Sequence, residues 1–249
     1  MAYAVITRDP EAAAPYAAAL APLGLEAVAL PVTCTAPAED PQALVRAIAR
    51  GGHAAIVVAS ARAAAALDAA RGRRGGSALA EVWAVGPATA RALEAAGIAA
   101  QVPPGARDGA ALARALLDAR ALAGRRVLVP RAEGGRDEAI AILQGAGVEV
   151  DAVVAYRTVP AAAGDPALAR GLALLRGGAA GVCAVFAPSQ VRALDALCPI
   201  RGISAPFAAI GETTAAALRD AGAQTVVIAD GPTPERLAKA VSAVYPIRS

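Results

Sequence analysis

Histidine occurs once in this 249-residue chain, at His53, and cysteine three times, at Cys34, Cys183 and Cys198. A Ser-His-Asp triad or a histidine-based metal centre would have to rest on that one histidine, which sits in a Gly-Gly-His turn ahead of a strand, so neither is expected. The cysteines are odd in number and lack zinc-ligand spacing. They fit neither a disulfide framework nor a zinc site and read as buried or incidental thiols. Among the 24 basic residues only Lys239 is lysine, and the arginines are dispersed along helices without forming a basic run. The one local cluster is Arg71-Gly72-Arg73-Arg74 in a Gly-rich loop. With a net charge of +3, that dispersion argues against nucleic acid as a partner, while small polyanions remain suitable because arginine offers a fork of donors to carboxylates. The longest uncharged run, residues 177–191, is broken by glycines and a proline and is too short to span a bilayer. The N-terminus lacks a basic region followed by an apolar segment. The expectation is a soluble, cytoplasmic protein with no membrane association.

Aromatic residues are scarce, at 3%, although 57% of the chain is hydrophobic. Much of that fraction is alanine, which suits helices packed closely on strands. What the chain does contain is a repeat out of phase with itself. Residues 85–97 (VGPATARALEAAG) return at 210–222 (IGETTAAALRDAG), and residues 5–8 through Gly24 answer residues 128–131 through Gly147 with the same spacing from arginine to glycine. The order is A-B-A-B, two copies of one unit. Two similar domains are therefore expected, with a cleft suited to a small molecule.

Hydrophobic periodicity alternates short β-type runs with Ala-Leu helices. Strands are expected near 3–7, 26–32, 54–59, 81–85, 99–102, 126–130, 149–155, 182–187, 206–210 and 224–229. Helices are expected at 10–22, 61–70, 87–96, 109–121, 136–145, 189–197, 212–221 and 233–243. This is an α/β fold with two similar parallel-sheet domains. Two β-branched, proline-bounded segments, 31–37 and 151–160, follow the second strand of each A unit and read as paired linkers between domains. They favour a discontinuous first domain made of 1–30 plus 161–249, and a second domain at 38–150.

Four strand ends run directly into helices with small or hydroxylated residues, at Ala59-Ser60-Ala61-Arg62, Gly86-Pro87-Ala88-Thr89, Ala187-Pro188-Ser189-Gln190 and Gly211-Glu212-Thr213-Thr214. Each alone has helix capping as its ordinary role. Together they make a cradle for anions, since backbone N–H groups at the carboxyl ends of parallel strands point into the crevice. Arg8 and Arg131 end equivalent strands of the repeat, one in each expected domain. Tyr156, in the second linker, offers a phenol that can donate a proton or a hydrogen bond, or serve as a buried structural residue.

Residues 85–93, 128–137 (LVPRAEGGRD), 154–160 (VAYRTVP), 186–194 (FAPSQVRAL), 209–218 (AIGETTAAAL) and 232–235 (PTPE) together resemble the uroporphyrinogen-III synthase family, in order and along essentially the whole chain. The resemblance implies two α/β domains joined by a two-stranded ladder. It also implies a lyase that cyclises hydroxymethylbilane to uroporphyrinogen III, with ring D inverted and water lost, in tetrapyrrole (haem) biosynthesis. It implies no metal or organic cofactor, a monomer, and a linear tetrapyrrole polycarboxylate as substrate, with possible transient contact with hydroxymethylbilane synthase. Tyr156 matches the family tyrosine proposed to assist departure of the hydroxyl. Arg8, Ser60, Arg62, Gly86, Thr89, Arg131, Ser189, Gly211, Thr213 and Thr214 are the expected substrate-binding residues. Three positions depart from the family pattern, namely Ala59, Ala187 and Glu212, the last placing a carboxylate near an expected anion site. A noncatalytic bilobal ligand-binding or regulatory protein of the same fold is the alternative.

Overall fold

The computed structural model describes residues 2–72 and 79–245, so Arg73 and Arg74 of the basic cluster lie outside the described residues. The chain begins with β1 (Ala2–Ile6), α1 (Pro10–Leu20) and β2 (Leu25–Ala29). There follow β3 (Thr33–Pro37), α2 (Ala43–Arg50), β4 (His53–Val58), α3 (Ala61–Gly72), β5 (Glu81–Ala84) and α4 (Gly86–Ala95). Next come β6 (Ala100–Gln101), α5 (Gly109–Ala119), β7 (Arg126–Ala132), α6 (Glu138–Gly145) and β8 (Glu149–Pro160). The last stretch holds α7 (Pro166–Arg176), β9 (Ala180–Val185), α8 (Pro188–Leu197), β10 (Phe207–Ala209), α9 (Glu212–Asp220), β11 (Val226–Ile228) and α10 (Pro234–Ser242).

These elements form two compact units, one made of Met1–Cys34 with Val159–Ser249 and the other of Thr35–Thr158. The first unit holds a sheet in the order β11-β10-β9-β1-β2, and the second a sheet in the order β3-β8-β7-β4-β5-β6. The parallel pairing of β1 with β2 and β9, of β10 with β9 and β11, and of β4, β5, β6, β7 and β8 along the second sheet agrees with the α/β expectation. The segments expected as linkers are themselves strands, since β3 and β8 are hydrogen-bonded neighbours at one side of the second sheet. Their Thr, Val and Tyr residues fit an extended pleat. Two helices beyond those named from periodicity also form, α2 and α7.

Strand alternation divides each core into two layers. In the second unit, Ile56, Val58, Leu128 and Val153 pack with α2, α3 and α4, while Val57, Val127 and Val129 pack with α5 and α6. In the first unit, Val5, Cys183 and Val185 pack with α7, α8 and α9, while Ala4, Ile6, Val182 and Ala184 pack with α1 and α10. Leu67, Leu93 and Leu128 are completely buried, each contributing about 1.5–3 kcal/mol by leaving water. The glycines shared by the repeat have a backbone reason. Gly24 and Gly147, and likewise Gly97 and Gly222, have φ of 75°, 76°, 66° and 90°, values at which a side chain is strained.

Candidate active site

In the second unit β4 and β7 are neighbours, yet the chain leaves them in opposite directions. From β4 it runs through α3 to β5 on one side, and from β7 through α6 to β8 on the other. At such a reversal the connections part and leave a crevice beyond the carboxyl ends of the two strands. A cavity of about 360 Å³ occupies that place, lined by Ser60 after β4, Val85 after β5, Arg131 and Ala132 of β7, and Tyr156 of β8. Arg107, Asp108 and Gly109 at the start of α5, together with Gly135, Arg136 and Glu138 at the start of α6, complete the wall. A second cavity, of about 410 Å³, has mostly alanine walls from α3, with Arg62 and Tyr156 on its border.

Tyr156 reaches both cavities because β8 is irregular. Arg131 pairs with Val154, but the next β7 residue, Ala132, pairs with Tyr156, so β8 carries one extra residue there. In an unbroken strand Val153 and Tyr156 would face opposite ways. The extra residue re-aims Tyr156 onto the side of Val153, where α3 packs. Its hydroxyl lies 3.0 Å from Ser60 Oγ, and Ser60 Oγ also accepts the Ala63 N–H at 3.1 Å, capping α3. The Tyr156 carbonyl accepts the Glu133 N–H at 2.9 Å, fixing the backbone behind the ring.

Capping therefore holds for Ser60 but not for the other three strand ends. The helices α4, α8 and α9 follow Val85, Ala187 and Gly211 with no side-chain cap, which leaves their first N–H groups without a side-chain acceptor among the described residues. Asp137 likewise forms no cap for α6, because its carboxylate is paired with Arg131, whose other terminal nitrogen donates to the Gly135 carbonyl. Arg131 thus clamps the turn after β7. Arg107 and Arg136 take no partner among the described residues. They were missed by the sequence reading, and the available signals were the Asp108 cap of α5 and the Gly-Gly-Arg turn.

The family model described as uroporphyrinogen-III synthase HemD matches residues 14–239. The chain belongs to the uroporphyrinogen-III synthase family. Members of this family are cyclising hydro-lyases of haem biosynthesis that act on a small-molecule tetrapyrrole. Among solved structures, uroporphyrinogen-III synthetase from Helicobacter pylori is similar at 17% identity, with 98% of this chain and 100% of that chain covered and a TM-score of 0.60. A mutant uroporphyrinogen III synthase from the extremely thermophilic bacterium Thermus thermophilus is similar at 20% identity, with 98% of each chain covered and a TM-score of 0.53. At these identities the likeness is one of fold. Among the described residues no helix is long and apolar enough to cross a membrane.

Of the positions that the uroporphyrinogen-III synthase resemblance singles out, the structure brings Ser60, Arg131 and Tyr156 to one cavity and Arg62 to the neighbouring one. Gly86 and Thr89 lie in the first turn of α4, where Thr89 is buried. In the first unit, Thr214 occupies the matching buried place in α9, Thr213 and Ser189 are exposed, and Gly211 precedes α9. Arg8, the repeat partner of Arg131, is engaged differently. Its guanidinium lies 4.2 Å from the Phe186 ring centre and 5.3 Å from that of Tyr16, over an edge-to-face aromatic pair. Close by, Gln190 Oε1 accepts the Phe186 N–H at 2.9 Å and lies 3.0 Å from the Thr7 hydroxyl. The Glu212 carboxylate does not stand bare before α9, because it accepts from Arg219 Nη1 at 3.1 Å.

Proposed function

We propose that this chain closes hydroxymethylbilane to uroporphyrinogen III, inverting ring D and releasing water. The observation carrying this reading is the Tyr156 hydroxyl, held against Ser60 at the crevice where β4 and β7 diverge. Hydroxide is a poor leaving group, and a phenol aimed at the departing oxygen supplies the proton that lets it leave as water. The rest of the task is orientation, because ring D has to react at its substituted position, which requires the flexible chain to be held in one shape.

The carboxylates of the substrate suit the groups gathered here. Ser60, Arg62, Arg131, Gly86 and Thr89 in the second unit, and Arg8, Ser189, Gly211, Thr213 and Thr214 in the first, are the proposed substrate-binding residues. The guanidinium groups of Arg107 and Arg136, without a partner among the described residues, and the N-termini of α4, α8 and α9, which have no side-chain cap among them, support this assignment. The segments 31–37 and 151–160 are proposed as the paired connection between a domain of 1–30 plus 161–249 and a domain of 38–150. A cytoplasmic monomer, in transient contact with hydroxymethylbilane synthase, completes the reading.

The test supplies porphobilinogen and hydroxymethylbilane synthase, oxidises the products and resolves isomers I and III. Isomer III above the enzyme-free background is expected, and isomer I alone would overturn the assignment. Tyr156→Phe should lower turnover by about 10²–10⁴-fold, the usual range for a general acid, with the unfolding midpoint little changed. Unchanged turnover would remove the tyrosine from the reaction.

A further inference from the structure

Ser60 is a hydroxyl with one hydrogen and two lone pairs. One lone pair is taken by the Ala63 N–H, 3.1 Å away, leaving the hydrogen and one lone pair for Tyr156 Oη at 3.0 Å. Donation from an amide at the positive end of α3, a twelve-residue helix, draws electron density from Ser60 Oγ. That makes the hydroxyl a weaker acceptor and a stronger donor, since hydrogen bonds in a chain polarise one another. Once a substrate oxygen engages the Tyr156 hydrogen, the polarity left to the pair is Ser60 donating to the phenol oxygen. Both partners are held by backbone, Ser60 at the start of α3 and Tyr156 beside the extra residue of β8.

We propose that Ser60 is a positioning residue that donates its proton to Tyr156 Oη, directing the Tyr156 proton into the cavity and holding the phenolate that forms. This rests on the reading of Tyr156 as proton donor, and it moves Ser60 from the substrate-binding set to a role exerted through the tyrosine. In the step itself the Tyr156 O–H bond breaks as the carbon–oxygen bond of the substrate hydroxymethyl group breaks, and water leaves. The phenolate keeps the Ser60 hydrogen bond until the proton released on forming the new ring linkage restores the phenol. The net change is loss of one water from the substrate.

Steady-state kinetics of the full chain with Ser60→Ala, Ser60→Thr and Ser60→Asp, each in the parent and in Tyr156→Phe, test this. Ser60→Ala should lower kcat by about ten- to a hundredfold, the worth of a hydrogen bond to a charged group, with KM little changed, and Ser60→Thr should recover most of that loss. Aspartate is a strong helix cap but, ionised, has no proton to give. Ser60→Asp should therefore fold with α3 intact and still turn over no faster than Ser60→Ala. In Tyr156→Phe none of the three should lower kcat further. Parental kcat in Ser60→Asp would show that Ser60 only caps the helix. A raised KM with unchanged kcat in Ser60→Ala would make it a substrate contact, and further loss in Tyr156→Phe would make it independent of the tyrosine. Each of these overturns the inference while leaving the tyrosine in place, whereas parental kcat in Tyr156→Phe overturns both.

Discussion

Replacing Arg131 by alanine separates two uses of one guanidinium. In the structure Arg131 ties the turn after β7 to the strand through Asp137 and the Gly135 carbonyl, and its side chain is only 20% exposed. A hydrogen bond from a charged donor to a partly buried carbonyl contributes about 1.5–3 kcal/mol. The pairing with Asp137, whose own side chain is 72% exposed, adds at most about 1 kcal/mol. Against these stands the buried Nε, which has no acceptor among the described residues and whose removal returns part of the loss. The net expectation for Arg131→Ala is destabilisation by about 1–2 kcal/mol, and for Asp137→Asn no more than about 1 kcal/mol. Trp83 is the chain's sole tryptophan and lies 6% exposed in β5 of the same sheet, so its fluorescence reports the unit that carries the mutation. With a urea slope of about 2 kcal/mol per molar, the midpoint should fall by about 0.5–1 M. An unmoved midpoint would refute the clamp and leave substrate binding, read as a raised KM, as the one use of Arg131.

Two further predictions concern the first unit. A Cβ on Gly171 of α7 would stand 2.9–3.2 Å from three side-chain atoms of the buried Leu30. Gly171→Ala should therefore cost about 1–3 kcal/mol by overpacking, read as a lower melting temperature, and an unchanged one would mean that α7 can shift freely. Burial pushes the Cys183 thiol far above its ordinary range, so it stays protonated and unreactive at neutral pH, and Cys198 is buried as well, while Cys34 is exposed. A thiol reagent should modify Cys34 rapidly in the native chain and all three cysteines only after denaturation. Rapid native labelling of Cys183 would contradict the packing of β9.

Much of the architecture was legible because it depends on local pattern. The short apolar runs of Val and Ala became strands, and Gly24, Gly97, Gly147 and Gly222 became positive-φ positions that follow equivalent helices. Proline-bounded 31–37 and 151–160 were read as paired linkers from their equivalent places in the repeat, and the resemblance implied a two-stranded ladder. The structure pairs β3 with β8. The site was legible in kind and less so in detail. Ser60, Arg131 and Tyr156 do meet at one cavity, but Arg107 and Arg136 come from loops distant in sequence from Ser60, and their convergence follows from strand order. The three strand ends expected to cap their own helices do not, because Thr89 and Thr214 lie buried within the first turn and Ser189 stands exposed beyond Ala187.

By itself the sequence determined that this is an α/β chain built from two copies of one unit, with hydroxyls, arginines and one notable tyrosine at strand ends. Residue spacing alone fixes which positions can be equivalent, and the duplication kept that spacing. Tertiary structure decided how equivalent residues differ. Arg8 lies over Phe186 and Tyr16, while Arg131 holds Asp137 and Gly135. One extra residue in β8 turned Tyr156 toward Ser60, an outcome set by cross-strand register, which no single strand carries in its own sequence.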